Sequence, residues 1–331
     1  MSSLSTSVML APAPIGDPIT AWDVDGNGRF VVGYASGRVL VLSSPGQAAS
    51  GRSVTIDASG RRWSAQIMQE RSEELVRAVV ALDDTIQACI GDQGVWEFTD
   101  HHSSAFFAFQ VAHDPMACLR SHVLQHDTSL LLLKAGEYGA VLFDLLTTRQ
   151  QTVMVGFPTK AIPVAFDSRR IIWVDEAIAS APKLVICEYA NDPDSLEKVP
   201  LHGWRPRSAI SVTGWHSVHT IGKTRESIAV ASIRQRGWET SECWTVRAHR
   251  HTIVGLESWS HPFSKRMMVA TLSESGSFKI WSSARCLAAI RLREPSFSMG
   301  YPYRIARRGG RFQITADQGL FEVMVPELPD R

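Results

Sequence analysis

The stretch of sequence that decides the fold is Met268-Val-Ala-Thr-Leu-Ser-Glu-Ser-Gly276-Ser-Phe-Lys-Ile-Trp281. An apolar run leads into a short polar turn with a glycine, and then into residues that alternate between apolar and polar. This order is typical of a β-hairpin, because glycine supplies the backbone freedom that a tight turn needs. The stretch therefore predicts a buried strand, a turn and a half-buried strand.

The same pattern recurs along the chain, which indicates a repeat protein. The other copies span residues 30–42, 86–98, 130–143 and 312–323. The turn glycines are Gly37, Gly94, Gly139, Gly276 and Gly319, at intervals of 57, 45, 137 and 43 residues. Since the long interval holds three of about 45 residues, two more copies without the glycine are expected, within 171–189 and 227–246. Seven units at this spacing predict one seven-bladed β-propeller, all-β, with four-stranded antiparallel blades.

The interval between the first and second turn glycines leaves room for an insertion. Within it, residues 61–76 carry apolar side chains at Ile67, Met68, Leu75 and Val76. Apolar residues grouped in this way favour a short amphipathic helix. We therefore expect an inserted helix over 61–76, between the first and second blades.

Composition is that of a globular protein, and the length suits one large domain or two ordinary ones. The propeller interpretation predicts a single domain over residues 1–331. Hydrophobic residues make up 44% of the chain and charged residues 20%, which excludes general disorder. The longest aliphatic run is Leu130–Leu133, whereas a membrane helix needs roughly 20 apolar residues, so no membrane span is predicted. The five cysteines are scattered and never form a CxxC pair, which favours reduced thiols in a cytoplasmic or nuclear protein.

The unit from 248 to 282 resembles a WD repeat. Ala248-His249 stands where that family has Gly-His, and the apolar residues of the first strand follow at the family's spacing. Residues 273–281 match the family's third-strand phrase, with Ser282 in place of the usual Asp. The other units match loosely. The resemblance implies a WD-type propeller with degenerate repeats.

The resemblance also implies a set of structural residues. In WD repeats a histidine, a Ser or Thr, an acidic turn residue and the Trp form a buried hydrogen-bond network. Carried over to this chain, the candidates are His249, Glu274 and Trp281. Their expected role is to hold one blade together.

The N-terminal segment is expected to complete the last blade. The final unit supplies three strands, within 301–306, 311–315 and 320–325. A β-capable segment precedes the first unit and ends at Pro12. In WD propellers such a segment often pairs with the last blade, and this pairing would remove two open strand edges. We therefore expect residues 1–18 to be an ordered closing segment.

Charge is divided unevenly along the chain, although the net charge is +1. Residues 1–200 hold 15 Lys and Arg against 23 Asp and Glu, and residues 201–331 hold 19 against 10. This asymmetry predicts a basic side that docks an acidic or nucleic-acid partner. A solvated surface with an uneven distribution of charge is the alternative reading.

Two predicted loops, Trp204-Arg-Pro-Arg207 and Arg234-Gln-Arg-Gly-Trp238, combine tryptophan with arginine. Both residue types are enriched in binding hot spots. Packing beneath a loop is the alternative for each tryptophan. A third segment, Arg307-Arg308-Gly309-Gly310, is similar to the Arg-Arg-Gly core of phosphoinositide-binding propellers and is also readable as a tight turn. The candidate partner-binding residues are Trp204, Arg205, Arg207, Arg234, Arg236, Trp238, Arg304, Arg307, Arg308 and Arg311.

Motifs for cofactors, metals and catalysis are weak or missing. Asp23–Phe30 begins like a calcium loop, but position twelve falls on Tyr34, where such a loop has Glu. The sequence contains no phosphate-binding loop, nucleophile elbow or zinc helix. We therefore expect no cofactor, no metal and no catalysis.

The expected function is that of a scaffold or adaptor subunit that mediates protein–protein interactions within a complex. One alternative is a propeller that binds RNA or phosphoinositide through the arginines of its C-terminal half. The other is a propeller enzyme with a site in the central channel, as some propeller families have.

Overall fold

The computed structural model describes the strands and the shorter connections of the chain. The described residues are 7–13, 16–24, 29–43, 53–58, 61–69, 74–81, 85–91, 94–99, 104–108, 114–120, 130–135, 139–144, 147, 149–154, 161–166, 170–175, 182–188, 197–201, 210–213, 217–222, 224–233, 240–261, 264–292, 305–308, 311–317 and 319–325. Every regular element among them is a β-strand. The expected sites at Trp204–Arg207, 234–238 and Arg304 lie outside these residues.

The first half of the chain begins with β1 (Ser7–Pro12) and then forms three antiparallel sheets. The first has the order β2-β3-β4-β6-β5, with β2 Ile19–Val24, β3 Phe30–Tyr34, β4 Val39–Ser43, β5 Ser53–Ala58 and β6 Arg61–Gln69. The second contains β7 Val76–Ala81, β8 Thr85–Ile90, β9 Gly94–Thr99 and β10 Ser104–Ala108. The third contains β11 Asp114–Arg120, β12 Leu130–Ala135, β13 Gly139–Asp144 and β14 Arg149–Met154.

The second half forms four further sheets. Two of them contain β15 Ala161–Phe166, β16 Arg170–Asp175, β17 Lys183–Glu188 and β18 Glu197–Pro200, and β19 Ile210–Thr213, β20 Ser217–Ile221, β21 Ser227–Ile233 and β22 Thr240–Arg247. The next contains β23 Ile253–Ser260, β24 Met267–Ser273, β25 Ser277–Ser282 and β26 Arg285–Arg291. The last has the order β1-β29-β28-β27, with β27 Ile305–Arg308, β28 Arg311–Ala316 and β29 Gly319–Met324.

The chain divides into two compact units. One consists of Met9–Phe157 with Asp317–Leu320, and the other of Met1–Val8, Pro158–Ala316 and Phe321–Arg331. Within the former, β7 contacts both β2 and β11, so the first strands of successive sheets lie side by side. Within the latter, the same holds for β15, β19, β23 and β27. The sheets of each unit therefore meet along their first strands.

The expected helix over 61–76 is wrong. Residues 61–69 form β6, which pairs with β4 on one edge and with β5 on the other. Ile67 lies opposite Leu40, while its neighbour Met68 packs against the apolar cluster that includes Val39. Adjacent apolar residues suit a strand whose two faces are both covered, and this pattern is easily mistaken for helical periodicity in a short segment.

The glycine hairpins form as predicted and join the second and third strands of their sheets. Met268–Trp281 lies within β24 and β25, with Met268 opposite Ser282 and Leu272 opposite Phe278. The expected hairpin at 227–246 corresponds to β21 and β22, the third and fourth strands of their sheet. In that sheet the second and third strands are instead joined through residues 222–226, of which Lys223 lies outside the described residues.

Candidate functional site

A buried hydrogen-bond network lies between β24, β25 and the segment that joins β22 to β23. The Oγ1 atom of Thr271 accepts a hydrogen bond from the Trp281 indole N–H at 3.0 Å. The same oxygen lies 2.8 Å from Nε2 of His249. All three side chains are buried. The structure therefore brings together His249 and Trp281, two of the three expected residues, on the hydroxyl of Thr271.

Glu274, the third expected residue, lies outside this network. Its carboxylate is exposed, accepts a hydrogen bond from the Thr252 backbone N–H at 3.3 Å and lies 3.8 Å from Nδ1 of His251. The Nδ1 atom of His249 has no hydrogen-bond partner among the described residues. Thr271 was missed as an individual residue because the WD pattern implied only a Ser or Thr. Its distances to His249 and Trp281 identify it.

The environment of the network keeps His249 uncharged. Burial lowers the pKa of the imidazole to about 4, and the nearby positive charges of Lys279 and His251 act in the same direction. The Lys279 ammonium donates to the Ala248 carbonyl at 2.8 Å and lies 5.6 Å from the centre of the Trp281 ring. These contacts fit a structural role, because a buried neutral imidazole and a hydrogen-bonded ammonium stabilise the packing around Trp281.

A second polar cluster ties the turn between β3 and β4 to the segment before β2. The Asp17 carboxylate accepts hydrogen bonds from the Ser36 N–H at 2.8 Å, the Ser36 hydroxyl at 2.9 Å and Arg38 at 3.2 Å. The Arg38 guanidinium lies 4.6 Å from the centre of the Tyr34 ring. Burial raises the pKa of the Tyr34 phenol to about 12, so this group stays neutral at physiological pH.

Two of the candidate arginines near the C-terminus, Arg307 and Arg311, have described side-chain partners. Arg307 is half-buried, with its guanidinium carbon 5.0 Å from the centre of the Trp259 ring. Burial lowers the pKa of Arg307, and Glu257 opposes this effect. Arg311 lies 3.4 Å from a carboxylate oxygen of Glu322. Arg308 lies opposite Arg311 in the sheet, and its side chain is outside the described residues.

Two large hydrophobic side chains are exposed in the described part of the chain, Phe106 on β10 and Met324 at the end of β29. Phe106 packs against Trp96 with a ring-centre distance of 4.9 Å. Over the same residues, no three His, Cys, Asp or Glu side chains come together as a metal site. No helix there is long and apolar enough to cross a membrane.

Comparisons with solved structures place this arrangement in a known fold. The chain is similar to the WD40 domain of Pan2 from Neurospora crassa, with a TM-score of 0.63, 11% identity and coverage of 98% of this chain and 96% of that one. It is also similar to BBS1N in complex with ARL6DN, with a TM-score of 0.62, 10% identity and coverage of 99% and 98%.

A third similar structure is an enzyme. It is a catalytically inactive virginiamycin B lyase from Staphylococcus aureus with quinupristin, with a TM-score of 0.63, 7% identity and coverage of 97% and 100%. No family profile and no curated protein matches the sequence.

These likenesses define the fold as a β-propeller, a fold that the WD40 domain of Pan2 also has. The all-β class and the antiparallel sheets are confirmed, with four strands in six of the seven sheets that the described residues form and five strands in the first. The likeness to WD40 domains agrees with the WD resemblance of the sequence. Identities this low establish the fold alone, since one propeller framework supports many different functions.

Proposed function

We propose that the protein is a non-catalytic scaffold or adaptor subunit that binds other proteins within a larger complex. In this proposal the seven described sheets are the blades of a single propeller, and β1 closes it by completing the last blade. The sheet order β1-β29-β28-β27 supports the closing role of the N-terminal segment. The contacts between successive first strands within each unit support a propeller arrangement of the blades.

The observation that carries the proposed function is the likeness to a protein whose structure was determined in complex with another protein. BBS1N, to which this chain is similar over nearly its whole length, was determined in complex with ARL6DN. A propeller binds through loops on rigid sheets, so a partner meets a preformed surface and little ordering free energy is lost. Cytoplasmic or nuclear location completes the proposal, since the sequence lacks the paired cysteine spacing of a disulfide framework.

An enzyme is the second candidate, favoured by the likeness to virginiamycin B lyase. The RNA- or phosphoinositide-binding alternative is less well supported at its expected site. Because the Arg307 guanidinium stacks on Trp259 and is partly desolvated, it is less available to a phosphate than a fully exposed arginine.

Affinity capture of the tagged protein at low and at high salt tests the proposal. We expect defined protein partners that remain bound at high salt, because a scaffold interface with a hydrophobic core is only weakly screened. Recovery of RNA alone, lost at high salt, would contradict the scaffold and favour the nucleic-acid alternative. Recovery of no macromolecule at either salt concentration would also contradict it and favour the enzyme.

A further inference from the structure

Four exposed arginines lie at one end of two neighbouring sheets, β19–β22 and β23–β26. Arg225 is in the turn between β20 and β21, and Arg247 ends β22. Arg250 precedes β23, and Arg291 ends β26. All four side chains are exposed to solvent. We call this set, Arg225, Arg247, Arg250 and Arg291, the arginine platform.

Backbone hydrogen bonds bring the two ends of the sheets together. The Ile253 N–H donates to the Arg225 carbonyl at 2.9 Å, which joins the β20–β21 turn to the start of β23. The Glu226 carbonyl accepts from the N–H groups of Ala248 at 2.8 Å and His249 at 3.1 Å. Arg247 and Arg250 flank these two residues in the sequence, so three platform arginines extend from one hydrogen-bonded junction.

The fourth arginine is fixed at the same end of β23–β26. The Leu292 N–H donates to the Gly276 carbonyl at 2.9 Å, and the Glu274 N–H donates to the Thr252 carbonyl at 2.9 Å. These bonds link the end of β26, the β24–β25 turn and the segment before β23. The platform is therefore carried by ordered backbone, which reduces the conformational entropy lost when a partner binds.

The platform has an excess of positive charge. None of its four guanidinium groups forms an ion pair with another residue of the described ranges. Two carboxylates lie on the same segments, those of Glu226 and Glu274, and the latter is near His251. Four arginines against two carboxylates leave a net attraction for an anionic ligand.

The composition of the platform favours a protein carboxylate over a nucleic acid. Arginine binds carboxylates through two parallel hydrogen bonds, which gives both orientation and strength. Proteins that bind single-stranded nucleic acids add exposed aromatic rings on which bases stack. Trp281, on β25 of the β23–β26 sheet, is 5% exposed, and the Lys279 ammonium lies 5.6 Å from the centre of its ring. No described residue of the platform offers an apolar side chain for membrane insertion.

We propose that the arginine platform binds an extended, Asp- and Glu-rich segment of a partner protein. This inference rests on the proposed scaffold function and specifies one surface and the chemistry of its partner. It also moves the basic docking site away from Arg307, which the structure shows stacked on Trp259. The carboxylates of the partner segment bridge the two sheets by pairing with arginines from both.

A binding titration tests the platform directly. The probe is a fluorescein-labelled all-glutamate peptide, and the test variant is Arg225→Gln, Arg250→Gln and Arg291→Gln combined. Because an exposed charge pair contributes about 0.5 kcal/mol, loss of three pairs should weaken peptide binding about tenfold. Fluorescence anisotropy at low salt measures the affinity, and circular dichroism checks that the variant is folded.

The chain offers a matched control at the opposite end of the β23–β26 strands. Lys265, Arg266 and Arg285 are also exposed, and replacing all three with Gln changes the net charge by the same amount. This control should bind the peptide like the wild type. Equal loss of binding in both variants would overturn the proposal, since it would show attraction to net charge alone.

A gain-of-binding variant and two other probes complete the test. Glu274→Gln removes a carboxylate that competes with the peptide, so it should tighten binding about twofold. Tighter binding of polyuridylate, or of phosphatidylserine vesicles, than of the glutamate peptide would overturn the choice of partner.

The capture experiment separates this proposal from the function on which it rests. If the wild type captures proteins and the platform variant captures the same ones equally well, the platform is overturned while the scaffold stands. Failure of the wild type to capture any protein contradicts the scaffold itself.

Discussion

Two turns of the molecule have the same backbone conformation and differ in their side-chain contacts. In the β3–β4 turn the Gly37 N–H donates to the Tyr34 carbonyl at 3.0 Å, and in the β24–β25 turn the Gly276 N–H donates to the Ser273 carbonyl at 2.8 Å. The φ angles of the glycines are 78° and 77°, in the left-handed region that glycine enters most easily. The repeat is therefore defined by its backbone geometry.

The side-chain hydrogen bonds that join each turn to the segment before its sheet have opposite donor and acceptor sides in the two sheets. In the first sheet the acid belongs to the preceding segment, and Asp17 accepts hydrogen bonds from Ser36 in the turn. In the β23–β26 sheet the acid belongs to the turn, and Glu274 accepts from the backbone of Thr252 in the preceding segment. Either arrangement links a turn to the segment before its sheet, so the acidic residue can lie in the turn or in that segment.

The interiors of the two sheets also differ. Thr271 lies five residues before Gly276 and is the centre of the buried network, whereas Val32 lies five residues before Gly37. Both side chains are fully buried. The same fold therefore accepts a buried polar network or an apolar residue at this position. The network stabilises one blade and is not required for every blade.

The largest expected difference between the two sheets is in how their stability depends on pH, because only the β23–β26 sheet has the buried His249 beside it. The pKa of His249 is about 4 in the folded protein and 6.5 for an ordinary histidine, so the unfolded chain binds more protons between these values. The free energy of unfolding should therefore fall as the pH is lowered from 6.5 to 4, by about 3 kcal/mol from this group. Urea unfolding across this range measures it. Replacing His249 with Gln should remove this part of the slope, and an unchanged slope would contradict the burial of a neutral imidazole.

A reciprocal exchange of Thr271 and Val32 tests the network next. Thr271→Val leaves the Trp281 N–H and Nε2 of His249 without their partner, which should lower the free energy of unfolding by about 2 kcal/mol. Val32→Thr buries a hydroxyl in an apolar position and should cost about 1–2 kcal/mol. Chemical denaturation of both variants provides the measurement. Neutral behaviour of Thr271→Val would show that the network contributes nothing to stability.

Replacement of Asp17 and of Glu274, the acids that bind the two turns to their preceding segments, should lower the free energy of unfolding by different amounts in the same assay. Asp17→Ala removes three hydrogen bonds from a carboxylate that is 15% exposed, so we expect a loss of about 1 kcal/mol. Glu274→Ala removes contacts of a carboxylate that is 40% exposed, so the expected loss is below about 0.5 kcal/mol. Equal losses, or the reverse order, would contradict the comparison of the two turns.

The sequence predicted the elements that depend on local backbone chemistry. Turn glycines such as Gly37 and Gly276 located the hairpins because a left-handed turn restricts the residue type. His249 and Trp281 were found through the WD resemblance, while Thr271 became identifiable only when its distances to them were known. The wrong helix over 61–76 arose because β6 buries the adjacent residues Ala65 and Gln66 on its two faces, and a strand buried on both faces lacks the alternation that marks an ordinary strand.

Contacts between sheets were beyond sequence reasoning. Arg307 and Trp259 are far apart in the sequence and meet only because β27 lies beside β23. Arg225 and Arg250 likewise come together through a backbone hydrogen bond to Ile253 between two sheets. Charge counting predicted a basic C-terminal half, but only the structure separates arginines engaged in packing from arginines that face solvent.

The platform substitutions should have the smallest effect on stability. Arg225, Arg250 and Arg291 are exposed and unpaired within the described residues, so their combined replacement with Gln should change the free energy of unfolding by less than about 0.5 kcal/mol. Thermal unfolding followed by circular dichroism provides the check. A loss as large as that of Thr271→Val would show that these arginines support the fold.

The most direct test of the account is affinity capture combined with unfolding, on Thr271→Val and on the platform variant. The central claim is that the packed sheets, with the network around Thr271, determine stability, while the arginine platform determines binding. We predict that Thr271→Val lowers the unfolding midpoint and still captures the wild-type partners at a temperature where it remains folded. The platform variant should keep the wild-type midpoint and lose an acidic protein partner. Loss of stability and binding together in both variants would contradict the claim.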